Sequence, residues 1–348
     1  MRLNGIGSLR RVAHSIRSRL APRVLILQYH RVVDLESDPY LLSVTPQHFD
    51  EHLSIVKKYG CPMGLRQVTN ALCDKNLPPR AIVITFDDGY NDSLYTAKPL
   101  LERYDMSATV FVVTGQIGHT REFWWDELER LLLQTRSLPQ MLRLRVNGHL
   151  YEWELGDAIN CDQDDFRRNA FWNFGRSDNP TLRHRLFRSL YQLLQSLPNN
   201  QKCSVLDELL TWGAAATTVR STHQTLSPEA VIRLAAGGLV EVGAHTVTHP
   251  VLSTVPLATQ RDEIEESKMR LEEILGNPVD SFSYPHGLKS HYTEETVAAV
   301  RDAGFVCACS SFGGAVRQHA DRYQLPRIVV RDWDGEAFEG RIRQWLRN

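Results

Sequence analysis

Apolar and polar positions along this chain fall into a regular rhythm that is interrupted once. "VLILQYH" (24–30), "AIVITF" (81–86) and "SATVFVVTG" (107–115) are short, nearly continuous apolar runs, the pattern of strands buried on both faces. Between the first two, "TPQHFDEHLSIVKKYG" (45–60) reads as a helix: Thr45 can cap it, Pro46 suits its first position, and Gly60 ends it. "SLYTAKPLLERYD" (93–105) reads as a second helix. The order returns further along. A helix in "SPEAVIRLAAGG" precedes a strand in "LVEVGAH". The long charged helix "PLATQRDEIEESKMRLEEILG" follows, then strands in "VDSFSYPHG", "FVCACSS" and "LPRIVV". Strands and helices alternating at this spacing predict βα units, and hence an α/β fold with a parallel sheet or barrel.

The interruption runs from 117 to 225. "FWWDELERLLLQT" and "HRLFRSLYQLLQSL" carry helical periodicity, and "LRLRVNGHLYEWEL" reads as a hairpin with Asn-Gly at its turn. Five of the seven tryptophans (124, 125, 153, 172 and 212) lie in this block. It reads as an inserted, mainly helical cap or accessory region. The expected organisation is a leader at 1–22, a barrel built from 23–116 and 226–348, and the insertion at 117–225.

Composition narrows the function classes. The 348 residues are 42% hydrophobic and 23% charged, as in an ordinary soluble protein, and the net charge of −1 gives no sign of a nucleic-acid binder. No run of 18 apolar residues exists to cross a membrane. The six cysteines lack zinc-finger spacing and read as small core residues. The first 22 residues are basic, with Leu3, Ile6, Leu9, Val12, Ile16 and Leu20 recurring every three or four positions. That pattern predicts an amphipathic helix for packing or for peripheral contact with an anionic membrane face. It lacks the continuous apolar stretch of a secretory signal, so the expected location is cytoplasmic, at or near the inner face of the membrane.

Two motifs carry chemistry. "TFDDG" (85–89) puts Asp87 and Asp88 side by side at the end of a buried strand, where desolvation and mutual repulsion both disfavour ionisation. A tight turn at Gly89 can bring both carboxylates round one pocket. "GAHTVTHP" (243–250) places His245 and His249 four apart after another strand. On a helical turn they would share a face. Two imidazoles and one carboxylate make a three-ligand site for a divalent cation, which also offsets the repulsion between the acids. The other carboxylate is then free to act as a base.

"TFDDGY" followed much later by "HTVTHP" resembles the polysaccharide deacetylase family with the NodB homology domain, carbohydrate esterase family 4. The resemblance covers roughly 24–116 and 226–331. It implies a distorted (β/α) barrel, one divalent metal, most simply Zn2+ (with Co2+, Ni2+ or Mn2+ as alternatives), and removal of acetyl groups from sugars. It implies Asp87 as base and Asp88, His245 and His249 as metal ligands. "SYPHG" (283–287) matches the family's third motif with His286 in the Tyr place. The resemblance thus gives Tyr284, Pro285, His286 and Gly287 to the oxyanion or substrate side, through the backbone N–H near His286. The Arg that often opens this motif is absent, and Arg327 in "LPRIVV" is the candidate to orient Asp87. The last strand has no His to act as general acid. "LQYHRVV" (27–33) is similar to the strand that carries the acid in a permuted branch resembling poly-N-acetylglucosamine deacetylases. His30 is therefore the candidate acid and His286 the alternative. Trp333 is the candidate aromatic for the sugar.

The expected activity is N-deacetylation of an amino sugar in a polysaccharide, an oligosaccharide or a lipid-linked precursor in surface-glycan biosynthesis. An O-acetyl esterase or non-sugar amidase using the same site, and an inactive glycan-binding scaffold, are the competing readings.

Overall fold

The computed structural model describes residues 23–215 and 218–347, so the amphipathic leader lies outside the described residues. Seven strands form one parallel sheet: β1 (Val24–Tyr29), β2 (Ala81–Phe86), β3 (Ala108–Val112), β4 (Val240–Ala244), β5 (Ser281–Ser283), β6 (Cys307–Cys309) and β7 (Ile328–Val329). Their spatial order is β6-β5-β4-β3-β2-β1-β7, and Cys61–Pro62 adds a short edge pair on β2. Every residue of β1 and β2 is buried, which is why both read as continuous apolar runs. The segment 325–329 meets both ends of the sheet. Leu325 bridges Cys309, and Ile328 pairs with Leu27. The sheet therefore curls into a distorted (β/α) barrel.

Helix α1 (Pro46–Tyr59) is capped by Thr45, whose hydroxyl accepts from the His48 N–H at 3.3 Å. The predicted helix over 93–105 is not regular. It opens with a wide turn over Ser93–Ala97 before the α-helix Lys98–Tyr104. Pro99 lacks the N–H that an α-helical turn would use there. The strand expected through "VDSFSYPHG" stops at Ser283, because the chain turns at His286 (φ 59°) and Gly287 (φ 61°).

The central block has its own core. It contains α2 (Trp124–Glu129), a hairpin of Met141–Val146 and His149–Glu154, α3 (Leu182–Gln195) and α4 (Asn199–Trp212). The hairpin turn has Asn147 at φ 51° and Gly148 at φ 81°, as the Asn-Gly pair predicts. Leu128, Leu132, Leu144, Phe187, Leu190 and Leu209 pack together there, apart from the barrel core. Arg183 (3% exposed) donates to the carbonyls of Ala158, Leu132, Thr135, Arg136 and Ile159, tying α3 to the loops around the hairpin. Two later helices matter for the site: α5 (Leu257–Leu275) and α6 (Gly335–Trp345). Among the described residues no helix is long and apolar enough to cross a membrane.

Candidate active site

The C-terminal ends of β2, β4 and β5 converge, as parallel strands in such a sheet must, and each delivers part of one polar cluster. Asp87 follows β2 directly. Asp88 then adopts a left-handed conformation (φ 73°), and Gly89 another (φ 83°). The turn expected at Gly89 thus begins one residue earlier. A side chain at Gly89 would put its Cβ 2.9 Å from Val112, so both the conformation and the space demand glycine. The result brings both carboxylates to one side.

After β4 the chain does not form the expected helical turn. Residues 245–249 form a bend with Thr246 (φ 65°) and His249 (φ 58°) left-handed. The Thr246 hydroxyl accepts from the His249 N–H at 3.0 Å, and Glu263 of α5 accepts from the Val247 and Thr248 N–H groups, each at 2.8 Å. The rings of His245 and His249 still meet, with centroids 4.9 Å apart. His245 Nε2 lies 3.7 Å and His249 Nε2 3.6 Å from Asp88 Oδ1. Left-handed non-glycine residues at Asp88, Thr246, His249 and His286 concentrate backbone strain at this one place.

Asp87 has different partners. Arg327, fully buried, donates from Nη1 to Oδ1 and from Nη2 to Oδ2, both at 2.7 Å. Gln28 Nε2 donates to Oδ2 at 2.8 Å. Burial alone would raise the Asp87 pKa, but the Arg327 charge outweighs it and holds the carboxyl well below the usual carboxylate range. Asp88 is pushed the other way, by burial and then by the Asp87 charge. One acid is therefore clamped as an anion by a guanidinium, and its neighbour meets two imidazoles.

The cluster fits a divalent metal. Ligating atoms of Asp88, His245 and His249 lie within 4.8 Å of one another, and all three residues are buried. His245 Nδ1 is tied to the Ser283 carbonyl at 2.7 Å, which fixes the proton there and leaves Nε2 with its lone pair free. Burial lowers the pKa of both histidines, keeping them neutral as ligands must be. His249 Nδ1 is a buried polar atom without a hydrogen-bond partner among the described residues. Among the described residues no lysine or arginine is paired with Asp88.

The remaining candidates divide. His286 packs its ring 4.7 Å from that of His249, and its backbone N–H has no protein acceptor among the described residues. Tyr284 is buried and bonds the Tyr323 carbonyl at 2.9 Å, and Gly287 sits where a Cβ would strike Ser311. Tyr284 and Gly287 shape the turn that presents His286, with Pro285 between. His30 follows β1 within the field of Asp87, Arg327, Arg331 and His245. Burial pushes its pKa down to about 4, so its ring is neutral at pH 7. Trp333 has its neighbours on α6. Its ring packs under Arg341 (4.1 Å) and 6.1 Å from Trp345, both on α6. The aromatic ring at the metal-ligand cluster is Trp125 from the central block, 5.2 Å from His249. Its Nε1 donates to the Tyr90 hydroxyl, which donates to Asp126. Sequence reasoning missed Trp125 and also Gln28, although a glutamine inside "VLILQY" was a signal.

A polysaccharide deacetylase family profile matches residues 74–141 and 199–308, together just over half of the chain. The chain belongs to the polysaccharide deacetylase family. The match leaves out 142–198, the middle of the inserted block. YxkH of Bacillus subtilis, which carries the name putative polysaccharide deacetylase, is 27% identical over 137 residues, 38% of this chain and 48% of YxkH. The aligned part thus spans about half the length of that relative. Solved structures share the fold more widely. The deacetylase PplD of Streptococcus pyogenes has a TM-score of 0.57 at 16% identity, covering 94% of this chain and 100% of that one. IcaB from Ammonifex degensii has a TM-score of 0.57 at 17% identity, covering 94% and 98%. A de-N-acetylase from Aggregatibacter actinomycetemcomitans has a TM-score of 0.54 at 14% identity, covering 92% and 99%.

Proposed function

We propose that this deacetylase removes the N-acetyl group from an amino sugar of a glycan, or of its lipid-linked precursor, with one divalent metal, most simply Zn2+. The observation that carries the reading is the division between the two adjacent acids: Asp88 meets His245 and His249, while Asp87 is clamped by Arg327. A cation held by Asp88, His245 and His249 would supply Lewis acidity toward the acetyl carbonyl. Asp87, ionised at neutral pH, would accept a proton from the attacking water. The backbone N–H of His286 is a donor for the developing oxyanion. In this reading His30, which lies within the field of Asp87, supplies a proton to the leaving amine. It must acquire that proton during turnover, because its resting ring is neutral. Trp125 offers an apolar face beside His249 for the acetyl methyl or the sugar ring.

The test is acetate release from N-acetylated oligosaccharides with Zn2+ supplied. The expected result is metal-dependent release by the wild type and none by Asp87→Asn. Release from O-acetyl but not N-acetyl sugars would replace the amide reading with an ester one. No release from either would leave a glycan-binding role in its place.

A further inference from the structure

Helix α4 places a charge beside this site that the reaction scheme above does not use. Lys202 is 4% exposed, yet its ammonium has neither a hydrogen bond nor an ion pair among the described residues. It lies over the Trp124 ring, 5.0 Å from the centroid. Trp124 meets Trp125 at 5.5 Å, and Trp125 meets His249 at 5.2 Å.

The anions around Lys202 are already engaged. Glu263 holds the backbone between the two histidines. Glu122 is paired with Arg220 at 2.8 Å, and Glu127 with Arg121 at 2.6 Å. Lys202 instead lines two adjoining cavities of about 290 and 210 Å3, which share Asn199 and Thr248, the residue before His249. A buried lysine whose ammonium has no partner among the described residues, and which lines two sugar-sized spaces, describes a recognition site.

We infer that Lys202 binds an anionic group on the substrate, so that the preferred substrate is an N-acetylated sugar bearing a carboxylate or a phosphate near its acetamido group. The inference rests on the sugar-deacetylase reading above and specifies its substrate class. The ammonium is a compact point charge and accepts either anion. The long stem packs on Trp124, so Lys202→Met removes the charge and keeps the packing.

The experiment measures binding of the full chain by calorimetry and tryptophan fluorescence at low salt, without metal. The probes are N-acetylglucosamine, N-acetylmuramic acid and N-acetylglucosamine 1-phosphate. At least one acidic sugar is expected to bind ten-fold or more tightly than the neutral one. Lys202→Met should remove that preference without lowering the melting temperature, and Lys202→Arg should restore most of it. Which acidic sugar wins separates carboxylate from phosphate. Equal binding of all three, no binding of either acidic sugar, or an unchanged preference in Lys202→Met would overturn the inference. Acetate release with Zn2+ separates the two readings: release from neutral oligosaccharides without acidic preference leaves the deacetylase standing and removes the role of Lys202. Binding preference without acetate release from any probe or oligosaccharide does the reverse.

Discussion

Arg327 grips Asp87 with both terminal nitrogens, each 2.7 Å from its own carboxylate oxygen, and both side chains are buried. The same guanidinium donates from Nε to the Ser310 carbonyl at 2.8 Å, so its plane is fixed from behind. A planar fork held this way aligns the carboxylate as well as charging it.

Removing that partner leaves a buried anion without compensation. Arg327→Ala is therefore expected to destabilise the fold by about 3–5 kcal/mol. Arg327→Lys, which keeps the charge and loses the fork, should cost less stability while still lowering activity. Urea denaturation of the two variants beside acetate-release rates checks this. Equal stability of Arg327→Ala and wild type would mean that the clamp does not hold Asp87 ionised.

The barrel half of the site could be read from the chain because its signals are local. Asp87, Asp88, His245 and His249 each follow an apolar run, and the ends of parallel strands bring such residues together. Arg327 could be proposed for the same reason, since it precedes β7. Trp125 and Lys202 could not, because the central block folds over the barrel through contacts distant in sequence. Helix α4 also begins with the polar "NNQK" after Pro198 and has no capping side chain, so its start gives little helical signal. Trp333 follows the last strand, and its ring meets Arg341 and Trp345 of α6.

Gly89 should be intolerant of any side chain. Its φ of 83° disfavours L-residues by about 1–2 kcal/mol. A Cβ would also lie 2.9 Å from Val112 Cγ1. Gly89→Ala should lower the melting temperature and weaken metal binding together, because relief of the clash shifts Asp88. Thermal melts with and without Zn2+ read both effects. Lost stability with unchanged metal affinity would separate the turn from the ligand it positions.

Acid should destabilise the barrel through His52, which is fully buried against Phe338 with ring centroids 3.8 Å apart. Its Nε2 meets the Trp333 carbonyl at 2.7 Å. Burial pushes its pKa down to about 4, against about 6.5 in the unfolded chain. The unfolded state therefore binds the proton first, and stability present above pH 6.5 is lost as the pH falls toward 4. The full effect is about 3 kcal/mol. In His52→Gln the difference in unfolding free energy between pH 7 and pH 4.5 should shrink by about 2–3 kcal/mol. An unchanged difference would assign the acid sensitivity to other groups.

Glu263 offers a way to loosen the proposed metal site without touching a ligand. Its carboxylate accepts from the N–H groups of Val247 and Thr248 and from the Thr248 hydroxyl, and so sets the bend that carries His249 back toward His245. Thr246 and His249 hold left-handed conformations that the bend must enforce. Without Glu263 those residues can relax, and the two imidazoles lose their common focus. Glu263→Ala is expected to weaken Zn2+ binding by on the order of 10–100-fold, the usual effect of removing a group that orients a ligand. His249→Ala, which removes a ligand outright, should weaken it further. Competition against a chromophoric zinc chelator measures both. Wild-type affinity in Glu263→Ala would show that the bend is held by the Thr246 hydroxyl and the strand alone.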